Sequence, residues 1–153
     1  MRHLVMLARL LLGLVFTVFG LNTVLWSMGK AFMPPPEVMP KAALAFQQAL
    51  TETGFMHPLR GVVECLGGVL ILTGLMTPLG LAMLAPVLVH IVFYHWYLDT
   101  DAGGRGFTSV LVALALFLMF AYGGAFRGLL QPLAKSRWDR RAKAIAGDSR
   151  SPS

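Results

Sequence analysis

Four stretches of the chain carry apolar side chains almost without interruption, at residues 10–26, 58–75, 78–98 and 107–126. Each approaches or reaches the roughly 20 residues that an α-helix rising about 1.5 Å per residue needs to cross about 30 Å of hydrocarbon. None shows the apolar–polar alternation of a barrel strand, and a segment in lipid must satisfy its own backbone hydrogen bonds, so all four are predicted to be helices. The predicted fold is all-α, a membrane-spanning four-helix bundle.

The connections are unequal. Met76, Thr77 and Pro78 leave room only for a tight turn, which makes the second and third helices antiparallel neighbours. The segment 99–106 is short and glycine-rich and reads as a second turn. Residues 27–57 form a far longer connection, and segments of that length are commonly lids or binding loops. Within it Pro34, Pro35 and Pro36 hold an extended piece, Pro40 opens a helix as a first-turn proline, and Gly54 ends that helix after Thr53. Ala43, Phe46 and Leu50 give it one apolar stripe, so an amphipathic helix is predicted to lie flat over the outer mouth of the bundle.

Composition agrees with the pattern. Of 153 residues, 56% are hydrophobic and 13% charged, outside the range of ordinary soluble domains. The reading is one transmembrane domain over residues 1–130, followed by a basic cytoplasmic tail over 131–153. A formal charge of +6 in a soluble protein would raise the question of nucleic acid, but here the charge is segregated. Arg2 and Arg9 open the first helix, and Arg127, Lys135, Arg137, Arg140, Arg141, Lys143 and Arg150 follow the fourth. Only Lys30, Lys41, Arg60 and Arg105 lie on the other side. The positive-inside rule therefore puts both termini in the cytoplasm and 27–57 outside, in a bacterial-type cytoplasmic (inner) membrane. Membrane lipid is the expected partner and nucleic acid is not. The tail 131–146, with Trp138 among its basic residues, reads either as an interfacial helix on anionic lipid or as a solvated stop-transfer tail. The first helix is too long for a signal-peptide core, and no small-x-small site precedes Trp26, so it is read as retained. Cys65 is the only cysteine, which excludes disulfide and dithiol chemistry within the chain.

Glu64 changes the picture most. A carboxylate inside an apolar span is costly in hydrocarbon, and such residues usually face the bundle interior and mark function. Gly61, Glu64, Gly68 and Ile71 share one helical face, and small residues at that spacing let another backbone come close. Arg60, one turn earlier and about 6 Å shallower, is in reach as a charge partner, so Glu64 is either a proton-exchanging group or half of a structural ion pair. On the third helix His95 and Asp99 have the same spacing, and a carboxylate on one imidazole nitrogen leaves the other for a ligand. His90 shares a face with Tyr94 and Tyr97 and reads as a core histidine bordering the same region. Asn22, from the first helix, reads as an interhelical hydrogen-bonding residue. Helix direction puts all of these in the outer leaflet, level with a belt of Trp26, Tyr94, Trp96 and Tyr97. Pro86 cannot donate to the Ala82 carbonyl, which predicts a kink one turn before His90.

Metal and haem chemistry is not expected. His90 and His95 lie about 140° apart around one helix and cannot clasp one haem iron, and no motif spacing joins Glu64 or Asp99 to a zinc set. No phosphate loop, nucleophile elbow or nucleotide fingerprint occurs.

The run Ala8-Arg9-Leu10-Leu11-Leu12-Gly13 with Phe19-Gly20-Leu21-Asn22, then Ala45-Phe46 to Thr53-Gly54, Pro58 to Glu64 with Gly67-Gly68, and Leu84-Ala85-Pro86-Val87 followed by His95 resembles the DoxX family of small four-helix membrane proteins. The resemblance covers most of 8–126. The polar positions it implies are Arg9, Asn22, Glu64 and His95; where this chain has His90 the family pattern usually has asparagine. By analogy it implies a quinone-linked subunit of a membrane oxidoreductase complex. The expected function is thus a membrane subunit whose outer-leaflet pocket binds a quinone or other amphipathic molecule. Glu64 would exchange the proton, His95 oriented by Asp99 would donate a hydrogen bond, and Arg60, Asn22 and His90 would line the site. The alternative is a structural or assembly subunit with other membrane subunits as partners and no chemistry of its own. A small transporter is disfavoured, because no inverted repeat or broken helix is evident.

Overall fold

The computed structural model describes residues 1–33, 39–99 and 101–127; the proline run 34–36 and the tail 131–153 lie outside the described residues. The elements are α1 (Arg2–Ser27), α2 (Lys41–Glu52), α3 (Met56–Thr73), α4 (Thr77–Phe93) with a π-helical turn (Tyr94–Leu98) on its end, α5 (Ala102–Ala121) and α6 (Gly123–Arg127). Residues 1–123 form one compact unit, and a second begins at Gly124. Four helices, α1, α3, α4 with its π-turn, and α5, are long and apolar enough to cross a membrane. They form an up-down-up-down bundle in which α3 packs on α1 and α4, and α5 closes the ring against α1 and α4. The end carrying α2 is called distal, and the end carrying Met1 and the α3–α4 turn proximal.

Glycine sets the closest contact, between α1 and α3. A Cβ on Gly68 would lie 2.5 Å from the Thr17 nitrogen, one on Gly61 2.9 Å from the Gly20 carbonyl, and one on Gly13 2.7 Å from the Leu72 nitrogen; one on Gly20 would collide with the Cys65 backbone. Without a hydrophobic force between helices in lipid, this backbone approach supplies the packing that holds them together. Gly67, beside Gly68 but turned toward α4, serves the next crossing, where a Cβ on Gly80 would lie 2.8 Å from the Gly67 carbonyl. The predicted face of Gly61, Glu64, Gly68 and Ile71 is buried at all four positions. Outward faces carry leucine, phenylalanine and valine to lipid, among them Leu4, Leu14, Leu66, Val89 and Phe120.

Several boundaries move from those predicted. α3 ends at Thr73 because Gly74 takes a left-handed conformation (φ 76°), its N–H bonding the Leu70 carbonyl at 3.2 Å, so the tight turn is 74–76 rather than Met76 to Pro78. Arg9 explains itself there: its Nε donates to the Ile71 carbonyl (3.1 Å) and its Nη2 to that of Leu72 (3.4 Å), satisfying the carbonyls that a helix C-terminus leaves open. α1 starts at Arg2, well before its apolar run, since Arg2 and His3 are no obstacle to a helix. The largest correction concerns α5, which occupies 102–121 rather than 107–126. The glycine-rich segment read as a turn is mostly its first turns, because Asp101 Oδ2 accepts the Gly104 N–H at 3.0 Å and caps the helix. Pro40 is the N-cap of α2 rather than its first residue. α4 runs on through Pro86, and its departure from α geometry comes one turn after His90, at the π-turn.

Candidate functional site

The distal half of the bundle holds a cavity of about 170 Å³. Arg60 and Glu64 of α3, His90, Tyr94 and His95 of α4 and its π-turn, and Gln47 of α2 give it polar lining, while Phe16, Phe19, Phe107 and Leu111 give the apolar walls. Glu64 is 3% exposed and faces inward from the α3 seam, opposite the Gly20 backbone. Arg60 Nε lies 3.2 Å from Glu64 Oε1, an ion pair one helical turn long. The pairing is not an aligned hydrogen bond, and Arg60 Nε retains capacity to donate.

The second pair is on the π-turn. His95 Nδ1 lies 3.3 Å from Asp99 Oδ2, again a close polar contact rather than an aligned hydrogen bond. The imidazole is fixed from two sides: Tyr94 meets it edge-on with ring centres 5.1 Å apart, and the α5 backbone presses on it at Gly104, where a Cβ would lie 2.5 Å from Nδ1. A π-turn adds a residue to the turn and commonly re-aims side chains at functional sites. Here it brings both Tyr94 and His95 to the cavity wall.

α2 covers this region. Ala43 is fully buried, and Phe46 packs its ring on His90 (5.5 Å between centres) and Tyr94 (6.1 Å), so the predicted stripe of Ala43 and Phe46 is the face turned to the bundle. Leu50 continues it as a wall of two neighbouring cavities. Gln47, on the same face, reaches the main cavity with a buried Oε1 that lacks a partner.

Asn22 has a different task from the one expected of it. Its Nδ2 donates to the Met33 carbonyl (3.2 Å) and its Oδ1 accepts the N–H groups of Phe32 and Met33 (3.1 and 2.9 Å), so it anchors the start of the long connection rather than bridging helices. It borders a second space of about 290 Å³ that also touches Gln47, Arg60, Tyr94, His95 and Asp99. Asp99 and Asn22 thus line this vestibule, whereas Glu64 and His90 line the inner cavity; Arg60 and His95 line both. Among the described residues no three His, Cys, Asp or Glu side chains group as a metal site.

Three participants escape a reading of the sequence. Gln47 looks like one polar residue on a solvated helix, and Gly104 like loop. His57, at the start of α3, is 6% exposed, edge-on to Trp26 with ring centres 4.7 Å apart, and near enough to Arg60 to share its field. The apolar stripe 43–46–50, extended to the intervening turn, would have found Gln47; nothing local marks the other two.

The model of the DoxX family matches residues 4–96, which takes in α1 to the π-turn and, of the site, Asn22, Arg60, Glu64, His90 and His95. No curated protein and no solved structure matches the chain.

Proposed function

Because the chain belongs to the DoxX family and is a multi-pass membrane protein, we propose that its distal cavity binds the oxygen-bearing head of an amphipathic molecule of quinone type, in a membrane complex whose other subunits supply or remove electrons. The observation that carries the reading is a cavity against Glu64 whose wall holds both a buried acceptor without a partner, Gln47 Oε1, and two donor-bearing side chains, Arg60 and His95, each steered by a carboxylate through one nitrogen and left with others for a ligand. Buried polar atoms are rarely left unbonded, so a ligand with carbonyl or hydroxyl oxygens fits this donor and acceptor set. When bound, a quinone would supply two-electron, two-proton exchange. Arg60 would orient the head from α3, and His95, held by Asp99, Tyr94 and the Gly104 backbone, from the other side. Glu64 would take or give the proton at its carboxylate, and the vestibule beside Asp99 would connect that proton to water.

We further propose that the distal end faces outward across a cytoplasmic membrane, with both termini inside, on the strength of Arg2 and Arg9 at the proximal end. Gln47, whose side chain reaches the cavity, is a poor reporter of this. With Cys65 replaced by alanine, a cysteine at the exposed Gln48 is expected to react with an impermeant maleimide on intact cells and one at the exposed Leu75 is not. The reverse pattern would invert the orientation.

The chemical reading is tested at Glu64. Glu64→Gln keeps size and hydrogen-bonding capacity but cannot titrate. It is expected to fold, to bind a short-chain benzoquinone, and to lose the pH dependence of that binding seen in the unaltered protein. The second reading, a structural subunit, is favoured by the near-complete burial of Glu64 within its pair with Arg60. It gains if Glu64→Gln matches the unaltered protein in every assay while Glu64→Leu changes stability alone.

A further inference from the structure

A third space, of about 310 Å³, lies on the outside of the bundle between α3 and α4, under the last turn of α2. Its walls are Leu50, Met56, Leu59, Val63, Pro86 and Val87. Leu59 and Met56 are exposed on the lipid face, so the groove opens sideways into hydrocarbon. Only three of its lining residues are polar, His57, Arg60 and His90, and two of these, Arg60 and His90, also line the inner cavity. The polar cavity and the apolar groove therefore share one wall of two side chains, with the Arg60 charge close enough to act on both His57 and His90.

We infer that the groove between α3 and α4 holds the aliphatic tail of the ligand whose head lies in the inner cavity, and that this ligand enters laterally from the bilayer past Arg60 and His90. The inference rests on the pocket reading above and narrows the ligand class to a polar head on a long, flexible hydrocarbon chain. Geometry favours this side. Met56 to Val63 spans about 10 Å along α3, enough to lay out a chain parallel to the helices rather than merely to lodge a methyl group. Pro86 contributes an apolar ring to the groove wall. The vestibule on the other side, with Asn22, Gln47 and Asp99 at its edge, is too polar for a tail.

A tail moving from lipid into a lipid-facing groove gains little from the hydrophobic effect, because it leaves one hydrocarbon environment for another. The groove works by shape instead: it lets the tail leave the site while the head stays in. Filling it should therefore harm tailed ligands only. Two probes with the same dimethoxy-methyl-benzoquinone head, one with a decyl chain and one without, separate the two sites. They are applied to the full chain in phosphatidylcholine nanodiscs, with binding read by equilibrium dialysis of isotopically labelled probe.

Val63→Trp is expected to weaken the decyl probe about tenfold or more, the scale of a steric misfit of this size, and to leave the tail-less probe unchanged. Leu59→Trp, at the exposed edge where a larger side chain does not burden the bundle, is expected to act in the same direction and carries the test if Val63→Trp fails to fold. Unaltered decyl binding in the folded variants overturns the inference, as does an equal loss for both probes. If the unaltered protein binds neither probe, the pocket reading itself falls and takes the groove with it; if it binds both and the variants do not discriminate, only the groove is lost.

Discussion

Replacing Gly20 with valine is expected to separate α1 from α3 and to cost about 3 kcal/mol or more, measured as the shift in an SDS unfolding titration of the protein in mixed micelles. The reason lies in what a Cβ would meet. A flexible side chain can yield to an added Cβ, but at Gly20 the obstacles are the Cys65 backbone nitrogen, the Glu64 Cβ and the Gly61 carbonyl. Backbone can yield only if the whole helix moves. Moving α3 away would open the seam at Gly61 and Gly68 as well and would carry Glu64 out of the cavity wall, so loss of probe binding is expected with the loss of stability. Gly106, on α5, has nothing within 4 Å of an added Cβ, and Gly106→Val is the matched control for the intrinsic helix effect. Equal unfolding midpoints for the two variants would show that the α1–α3 crossing is not held by backbone contact.

The same seam shows how far the sequence is legible. Gly61, Glu64, Gly68 and Ile71 can be placed on one buried face from helical periodicity alone, since 3.6 residues per turn applies whatever the helix packs against. The i,i+4 spacing likewise brings Arg60 to Glu64. It brings His95 to Asp99 as well, although the backbone between them is π-helical, because the side chains are long enough to absorb the difference. What periodicity does not carry is any feature that depends on a partner element. The π-turn inserts a residue at a place where nothing in Tyr-His-Trp-Tyr-Leu announces it. Gly104 reads as loop because glycine is a poor helix former, whereas its use is to let α5 come against the His95 ring. Asn22 is polar and deep, which suggests a ligand or another helix; its actual partners, the backbone groups of Phe32 and Met33, belong to a segment with no pattern to place it. Arg9 can be assigned to the proximal end by charge, but its role as a cap for α3 requires knowing where α3 stops, and that is fixed by Gly74 rather than by the end of the apolar run.

The Arg60–Glu64 pair decides between the two functional readings, and its largest expected effect appears when only half of it is removed. Arg60→Leu leaves Glu64 buried without a charge partner, and a loss of about 2 kcal/mol is expected, toward the lower end for a broken buried pair because the Arg60 side chain is 25% exposed and partly solvated. Removing both charges, as Arg60→Leu with Glu64→Leu, is expected to restore most of that stability, since an apolar pair in an apolar setting has no charges to desolvate. A double variant as unstable as the sum of the single changes would mean that each residue has an independent structural role, and the coupling argued from their 3.2 Å contact would be wrong. If the double variant is as stable as the unaltered protein yet no longer binds the benzoquinone probe, the fold has no need of the pair. Two charges kept inside a membrane bundle without a stability benefit are then explained by the cavity they face, where Arg60 and Glu64 meet His95 across a space sized for a small polar head.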